Sequence, residues 1–155
     1  MTDEEIYKSW PYKIRFLRYE CWKLIKKYLI EKEITSVIEF GSGISTILFN
    51  SFGIDLVSYE TDPIYLREIK SYNLANVEFR LWDNSITNVG KTFGLSLVDG
   101  AMPRTNQLKY AIAHSRYIAI DDFNDENSSE LLYPMVKDLK RLDDEKIKLA
   151  IFRKI

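Results

Sequence analysis

Five short runs, apolar or alternating, frame this chain: Ser36 to Phe40, Leu56 to Tyr59, Val77 to Trp82, Gly94 to Val98 and Tyr117 to Ile120. Short apolar runs of this kind suit strands of a parallel sheet, which helices cover on both faces. The intervening segments supply helical signals. Residues 13 to 31 place Ile14, Leu17, Cys21, Leu24, Ile25, Tyr28 and Leu29 on one face and predict a long first helix, with Phe16 and Arg18 out of register. Ser45 offers a hydroxyl cap to a short helix that stops at Gly53, and Asp62-Pro63 opens another that runs to about Tyr72 before Asn73. Asn106 to His114 is helical in pattern, Leu131 to Leu142 predicts a helix broken or begun at Pro134, and Ile147 to Phe152 a last strand. Strands alternating with helices imply an α/β fold with a doubly wound, mostly parallel sheet and right-handed crossovers.

Composition bounds what such a fold does. The 155 residues are 46% hydrophobic and 14% aromatic, enough for a core and about the length of one domain. The expectation is therefore a single domain over 1–155, with 1–33 as an N-terminal helical extension. The 22 basic and 23 acidic residues leave a net charge of -1, with no overall bias toward nucleic acid or membrane. Arg15, Arg18, Lys23, Lys26 and Lys27 read as the solvated face of the first helix. A single cysteine, Cys21, excludes an internal disulfide and a multi-cysteine zinc site, and it reads as a core residue in a reducing compartment. The acidic start, Met-Thr-Asp-Glu-Glu, lacks an apolar signal, and no run approaches the ~18 apolar residues of a membrane span. A cytoplasmic protein is expected, with a homo-oligomer left open.

The chemistry gathers where the runs end. Glu39 and Gly41 to Gly43 close the first run, Glu60 follows the second, Asp83 the third, Asp99 the fourth, and Asp121 and Asp122 the fifth. In a doubly wound sheet those ends form one rim, where ligands bind at the switch in strand order. Gly41 and Gly43 permit a tight turn that a ligand can approach closely. Glu60, nineteen positions after Gly41, stands at about the spacing at which a carboxylate meets a ribose diol. A dinucleotide site needs a third glycine where Thr46 stands, so a pyrophosphate ligand is disfavoured.

Val37-Ile-Glu-Phe-Gly-Ser-Gly43, Val57-Ser-Tyr-Glu-Thr-Asp62, Leu97-Val-Asp-Gly100 and Ile120-Asp-Asp122 together resemble successive motifs of the class I S-adenosylmethionine (SAM)-dependent methyltransferases, over roughly residues 34 to 124. The resemblance implies a Rossmann-like fold, SAM as cofactor and methyl transfer to a small-molecule acceptor. It places Gly41, Ser42 and Gly43 against the methionine part of SAM, Glu39 near its amino group directly or through water, and Glu60 on the ribose hydroxyls. Asp83 matches an acid that meets the adenine amino group, and Trp82 is either a base-stacking or a core residue. Asp99 would face both cofactor and acceptor, and Asp99 and Asp121 are the catalytic candidates.

In the catechol and caffeoyl-CoA branch of that family, acids in these positions bind a divalent cation. Asp99, Asp121 and Asp122 therefore become candidate ligands for Mg²⁺ or Ca²⁺, which prefer carboxylates and water to the ligands zinc takes. His114, at a helix end, reads as a helix-terminal residue before a base, and Arg104 as a solvated loop arginine before a binder of an acidic acceptor. Two departures matter. Only one strand is evident after the fifth run, so either the sheet is truncated at its C-terminal edge or a helical-looking segment hides a strand. The acceptor pocket is also sparse, with Tyr7, Trp10, Pro11 and Tyr12 either a lid or simple packing. A catalytically silent, nucleoside- or partner-binding module is the alternative to an enzyme.

Overall fold

A computed structural model of the chain describes residues 1–11, 17–82, 90–100, 103–143 and 147–155. Among these, seven strands share one sheet: β1 (Ser36–Phe40), β2 (Asp55–Glu60), β3 (Val77–Leu81), β4 (Phe93–Val98), β5 (Ser115–Ile120), β6 (Lys140–Arg141) and β7 (Ala150–Arg153). Their order is β3-β2-β1-β4-β5-β7-β6. The first five strands pair in parallel, and β7 runs antiparallel to both β5 and β6. Strand order reverses at β1, which lies between β2 and β4, so the switch point is the crevice at their carboxyl ends. Register brings the ends level: Phe40 stands opposite Tyr59 and Val98, and Val98 opposite Ile120. That alignment turns acids scattered over some sixty positions of sequence, from Glu60 to Asp122, into one rim.

Among the described residues six helices cover the sheet: α1 (Asp3–Ser9), α2 (Tyr19–Glu31), α3 (Ile44–Ser51), α4 (Pro63–Lys70), α5 (Arg104–His114) and α6 (Glu126–Val136). The period-two alternation of the strands divides the core. Val37, Leu56, Leu95, Leu97 and Ala119 pack with α1, α2 and α3 on one face. Ile38, Phe40, Val57, Val98, Ile118 and Ile120 pack with α5 and α6 on the other. Each fully buried side chain of this size contributes roughly 1.5–3 kcal/mol of hydrophobic stabilisation. Cys21 is fully buried in the first face, as its apolar helix implied.

The N-terminal region differs from the sequence expectation. Thr2 and Glu5 form a capping box that starts α1, and its Ile6 is buried in the core. The next helix begins at Tyr19; Arg18 is its N-cap with extended backbone, φ -64° and ψ 150°. Arg18 fell within the apolar stripe on paper because it is not on the helix at all. Ile14, Arg15 and Phe16, included in the expected helix, lie outside the described residues. The aromatic residues of this region take the packing role: Tyr7 meets Tyr19 edge-on at 4.9 Å and Trp10 lies 6.1 Å from Tyr72, while Tyr12 is outside the described residues.

The C-terminal edge is not truncated. Two strands follow β5, and the second of them in space, β6, sits inside the segment expected to be helical. α6 starts at Glu126, well before Pro134, and ends at Val136; after a tight turn, Lys140 and Arg141 pair with Arg153 and Phe152. Two consecutive cationic residues carry no alternation, so this strand exists only through its partner.

Candidate functional site

The carboxyl ends of β1, β2, β4 and β5 enclose a cavity of about 350 Å³. Its floor is the turn after β1. Gly41 has φ +105°, its N–H donates to the Tyr59 carbonyl at 2.8 Å, and a Cβ there would stand 3.1 Å from both Asp99 O and Gly100 Cα. Gly100 has φ +96° and faces Gly41 in return, where its own Cβ would come 3.2 Å from Gly41 Cα. Two left-handed glycines therefore interlock, and what Gly41 admits so closely is the backbone after β4. Gly43 is extended, at φ -178°, and is the N-cap of α3 in place of the expected Ser45. Its N–H donates to Thr46 Oγ1 at 2.9 Å.

Glu39 lies behind this floor. Its carboxylate is fully buried, does not line the cavity, and accepts hydrogen bonds from Ser45 Oγ at 2.8 Å, Ser58 Oγ at 2.7 Å and Thr46 Oγ1. Ser58 stands opposite Glu39 in the β1–β2 register, and Ser45 and Thr46 reach it from the first turn of α3. Burial pushes the Glu39 carboxyl up to about 7, against the pull of its three hydroxyl donors, with the Asp99 charge adding to the rise. Glu39 thus braces the turn from within; contact with a ligand amino group, expected from the sequence, would have to pass through the residues it holds. Ser42 does line the cavity, and its hydroxyl lies 2.6 Å from that of Ser58, which links the wall to the Glu39 cluster.

Glu60 is on the wall and nearly buried. Its Oε1 accepts from Thr61 N at 2.7 Å and Asp62 N at 2.9 Å, so among the described residues its hydrogen bonds fall on one oxygen. Asp62, with Pro63 behind it, caps α4 through Ile64 N and Tyr65 N, as the sequence indicated. Trp82 takes the core role and also reaches the cavity: it packs edge-on against Phe40 and Tyr59 at 5.6 and 5.8 Å and lines the cavity. Asp83 lies outside the described residues.

The opposite end of the cavity is acidic, and Asp99, Asp121 and Asp122 all line it. Burial raises the Asp99 carboxyl, with Asp122 and Glu60 adding and the Gly100 N–H and Arg104 opposing. Burial raises Asp121 as well, reinforced by the charges of Asp99 and Asp122. Asp99 Oδ1 accepts from Gly100 N at 2.6 Å and lies 3.8 Å from Arg104 Nη2. Arg104 Nη1 donates to the Asp121 carbonyl at 2.6 Å, so this arginine ties the β4 and β5 ends together and is not a solvated loop residue. Asp122, at φ +51°, receives Arg18 Nη2 on Oδ1 at 3.0 Å. Asp121 Oδ1 is buried with no hydrogen-bond partner among the described residues.

A divalent cation needs several oxygens converging at about 2.0–2.6 Å. The expected ligands do gather, but guanidinium groups meet two of the three carboxylates. Among the described residues no group of three His, Cys, Asp or Glu side chains is arranged to hold a metal ion. The residues present therefore do not fit the magnesium or calcium ion that the motif resemblance implies. His114 is also outside the site: it ends α5 and stacks on Tyr110 at 4.2 Å, away from the cavity lining. Among the residues the sequence reading did not place at the site are Leu17, which lines the cavity, and Arg18, which meets Asp122. The one signal for them was the break that Arg18 made in the helical stripe.

The chain matches no protein-family profile and no curated protein in sequence. It is similar in structure to a Staphylococcus aureus protein assigned as a caffeoyl-CoA O-methyltransferase, with a TM-score of 0.77 at 14% identity, over 100% of this chain and 93% of that one. It is similar to the Bacillus cereus O-methyltransferase in complex with S-adenosylhomocysteine (SAH), at TM-score 0.70 and 16% identity, over 98% and 90% of the two chains. It also resembles the O-methyltransferase TomG of Streptomyces achromogenes in complex with SAM, at TM-score 0.71 and 13% identity, over 97% and 86%. Likeness to these structures over nearly the whole chain gives this protein the fold of the class I SAM-dependent methyltransferases.

Proposed function

We propose that this protein binds SAM in the switch-point cavity and transfers its methyl group to a small-molecule acceptor. The observation that carries the reading is that Glu60, Ser42 and Asp99 line one cavity beside the Gly41–Gly43 turn, in a fold shared with SAM- and SAH-bound enzymes. In this reading Glu60 accepts hydrogen bonds from the ribose hydroxyls, Ser42 and the Gly43 backbone border the methionine end, and Trp82 closes the base end. Glu39 holds the turn in shape through Ser45, Thr46 and Ser58 and is a positioning residue.

SAM supplies an electrophilic methyl on a sulfonium. The acceptor's lone pair forms the new bond to carbon in line with the breaking S–C bond, whose electron pair returns to sulfur, leaving neutral SAH. For such a displacement the protein mainly positions the acceptor and excludes water. In this reading Asp99 and Asp121 lie at the acceptor end, where a carboxylate receives an acceptor N–H or O–H.

Calorimetric titration with SAM, SAH and NAD, followed by a methyl-release assay over amine, phenol and carboxylic acid acceptors, tests the reading. Binding of the two sulfur ligands and not of NAD is expected. Failure of SAM and SAH to bind the folded protein at millimolar concentration would reject it.

A further inference from the structure

The acidic end of the cavity gathers three carboxylates from two adjacent strand ends, and crowding of like charge there calls for a counter-charge. Two guanidiniums provide it. Arg104 is local, from the first turn of α5, and is occupied with Asp121 O and Asp99. Arg18 comes from the other end of the chain, 104 positions from Asp122, and places Nη2 at 3.0 Å from Asp122 Oδ1. Its backbone is held on both sides: Leu17 is buried and its carbonyl accepts the Tyr7 hydroxyl at 2.5 Å, while the Arg18 carbonyl accepts the first helical bond of α2 from Trp22 N at 3.0 Å. Asp122 for its part sits at φ +51°, a conformation that Asp tolerates better than most residues.

A divalent ion on Asp122 would sit beside that guanidinium on one carboxylate, and the two cations repel across it. We propose that Arg18 is the resident cation of this acidic rim, taking the place of a divalent ion, so that the rim binds no such ion and the N-terminal segment is anchored over the acceptor end. A planar guanidinium on a fixed backbone is suited to this, since it carries a permanent charge with directed N–H donors.

The metal-binding part stands independently of the proposed methyl transfer, and its test needs no SAM. The readout is Mn²⁺ binding that depends on Asp122, followed by the loss of the free-ion electron paramagnetic resonance signal and compared with the Asp122→Asn variant. The unaltered chain is expected to show none up to millimolar Mn²⁺. Arg18→Met, checked for folding by circular dichroism, is expected to acquire Asp122-dependent binding at least tenfold tighter than the unaltered chain. Arg18→Lys, which keeps the charge, should not. Arg18→Gln keeps a donor for Asp122 and removes only the charge, and serves if Arg18→Met does not fold. Asp122-dependent Mn²⁺ binding by the unaltered chain would overturn the proposal. So would a folded Arg18→Met or Arg18→Gln protein that binds no more than the unaltered chain.

Discussion

A carboxylate with no exposed surface, as Glu39 is, survives only if its environment answers its charge, and here three hydroxyls do so. Its folded-state value of about 7 lies above the ordinary 4.5, so the native state holds a proton that the unfolded chain has lost between those two values. Stability from this group is therefore full below about pH 4 and declines as pH rises toward 7, by roughly 3 kcal/mol at most. Thermal melts of Glu39→Gln should show a flatter dependence between pH 5 and 8 than the unaltered chain; parallel curves would mean that Glu39 does not titrate in this range. Glu60 makes a different demand. Glu60→Ala should weaken SAH binding by at least tenfold in calorimetry while the melting temperature moves little, and unchanged affinity would remove Glu60 from the ribose. Both acids were legible in the sequence by position. What was not legible is that one faces the cavity and the other the interior, since burial behind the turn depends on Ser58 arriving from β2.

At the scale of elements, the turn after β1 and the loop after β4 form one unit. Gly100→Ala puts a Cβ 3.2 Å from Gly41 Cα and imposes a side chain on a positive φ. A loss of about 1–3 kcal/mol in chemical denaturation is expected, together with weakened nucleoside binding because the floor shifts. The C-terminal edge rests on another local device. Arg141 of β6 pairs with Asp143 at 2.8 Å, and the Asp143 side chain is fully buried and accepts from Ile151 N at 2.7 Å. Removing the arginine takes a hydrogen-bonded guanidinium from that buried carboxylate, so Arg141→Ala should cost about 1–3 kcal/mol in urea unfolding. A change below 1 kcal/mol would show that the edge strand is held by β7 alone. Neither β6 nor α1 was visible in advance. Lys140-Arg141 has no pattern, and α1 depends on a cap at Thr2 and on Ile6 finding a place in a core that the strands create.

For the molecule as a whole, the N-terminal segment is integrated with the sheet. Asp3 accepts from Trp22 Nε1 at 2.9 Å and from Lys26 at 2.7 Å, Ile6 is buried, and Arg18 reaches the rim beyond β5. Deleting residues 1–9 uncovers Trp22 and Ile6's site on the core and leaves Lys26 without Asp3. A fall in melting temperature of several degrees is expected, with a larger loss of acceptor-dependent turnover than of SAH affinity, because Tyr7 holds the Leu17 carbonyl and Leu17 lines the cavity. Equal losses of both would mean that the segment serves stability alone.

Short buried runs and the residues that end them determined, from sequence alone, the parallel α/β sheet and the acids at its switch-point rim, because strand burial and turn chemistry are local. Tertiary structure decided the rest. Which carboxylate is wall and which is brace, that the glycines pack on each other, and that an arginine 104 positions away meets Asp122 all follow from contacts between distant segments, on which no local pattern bears.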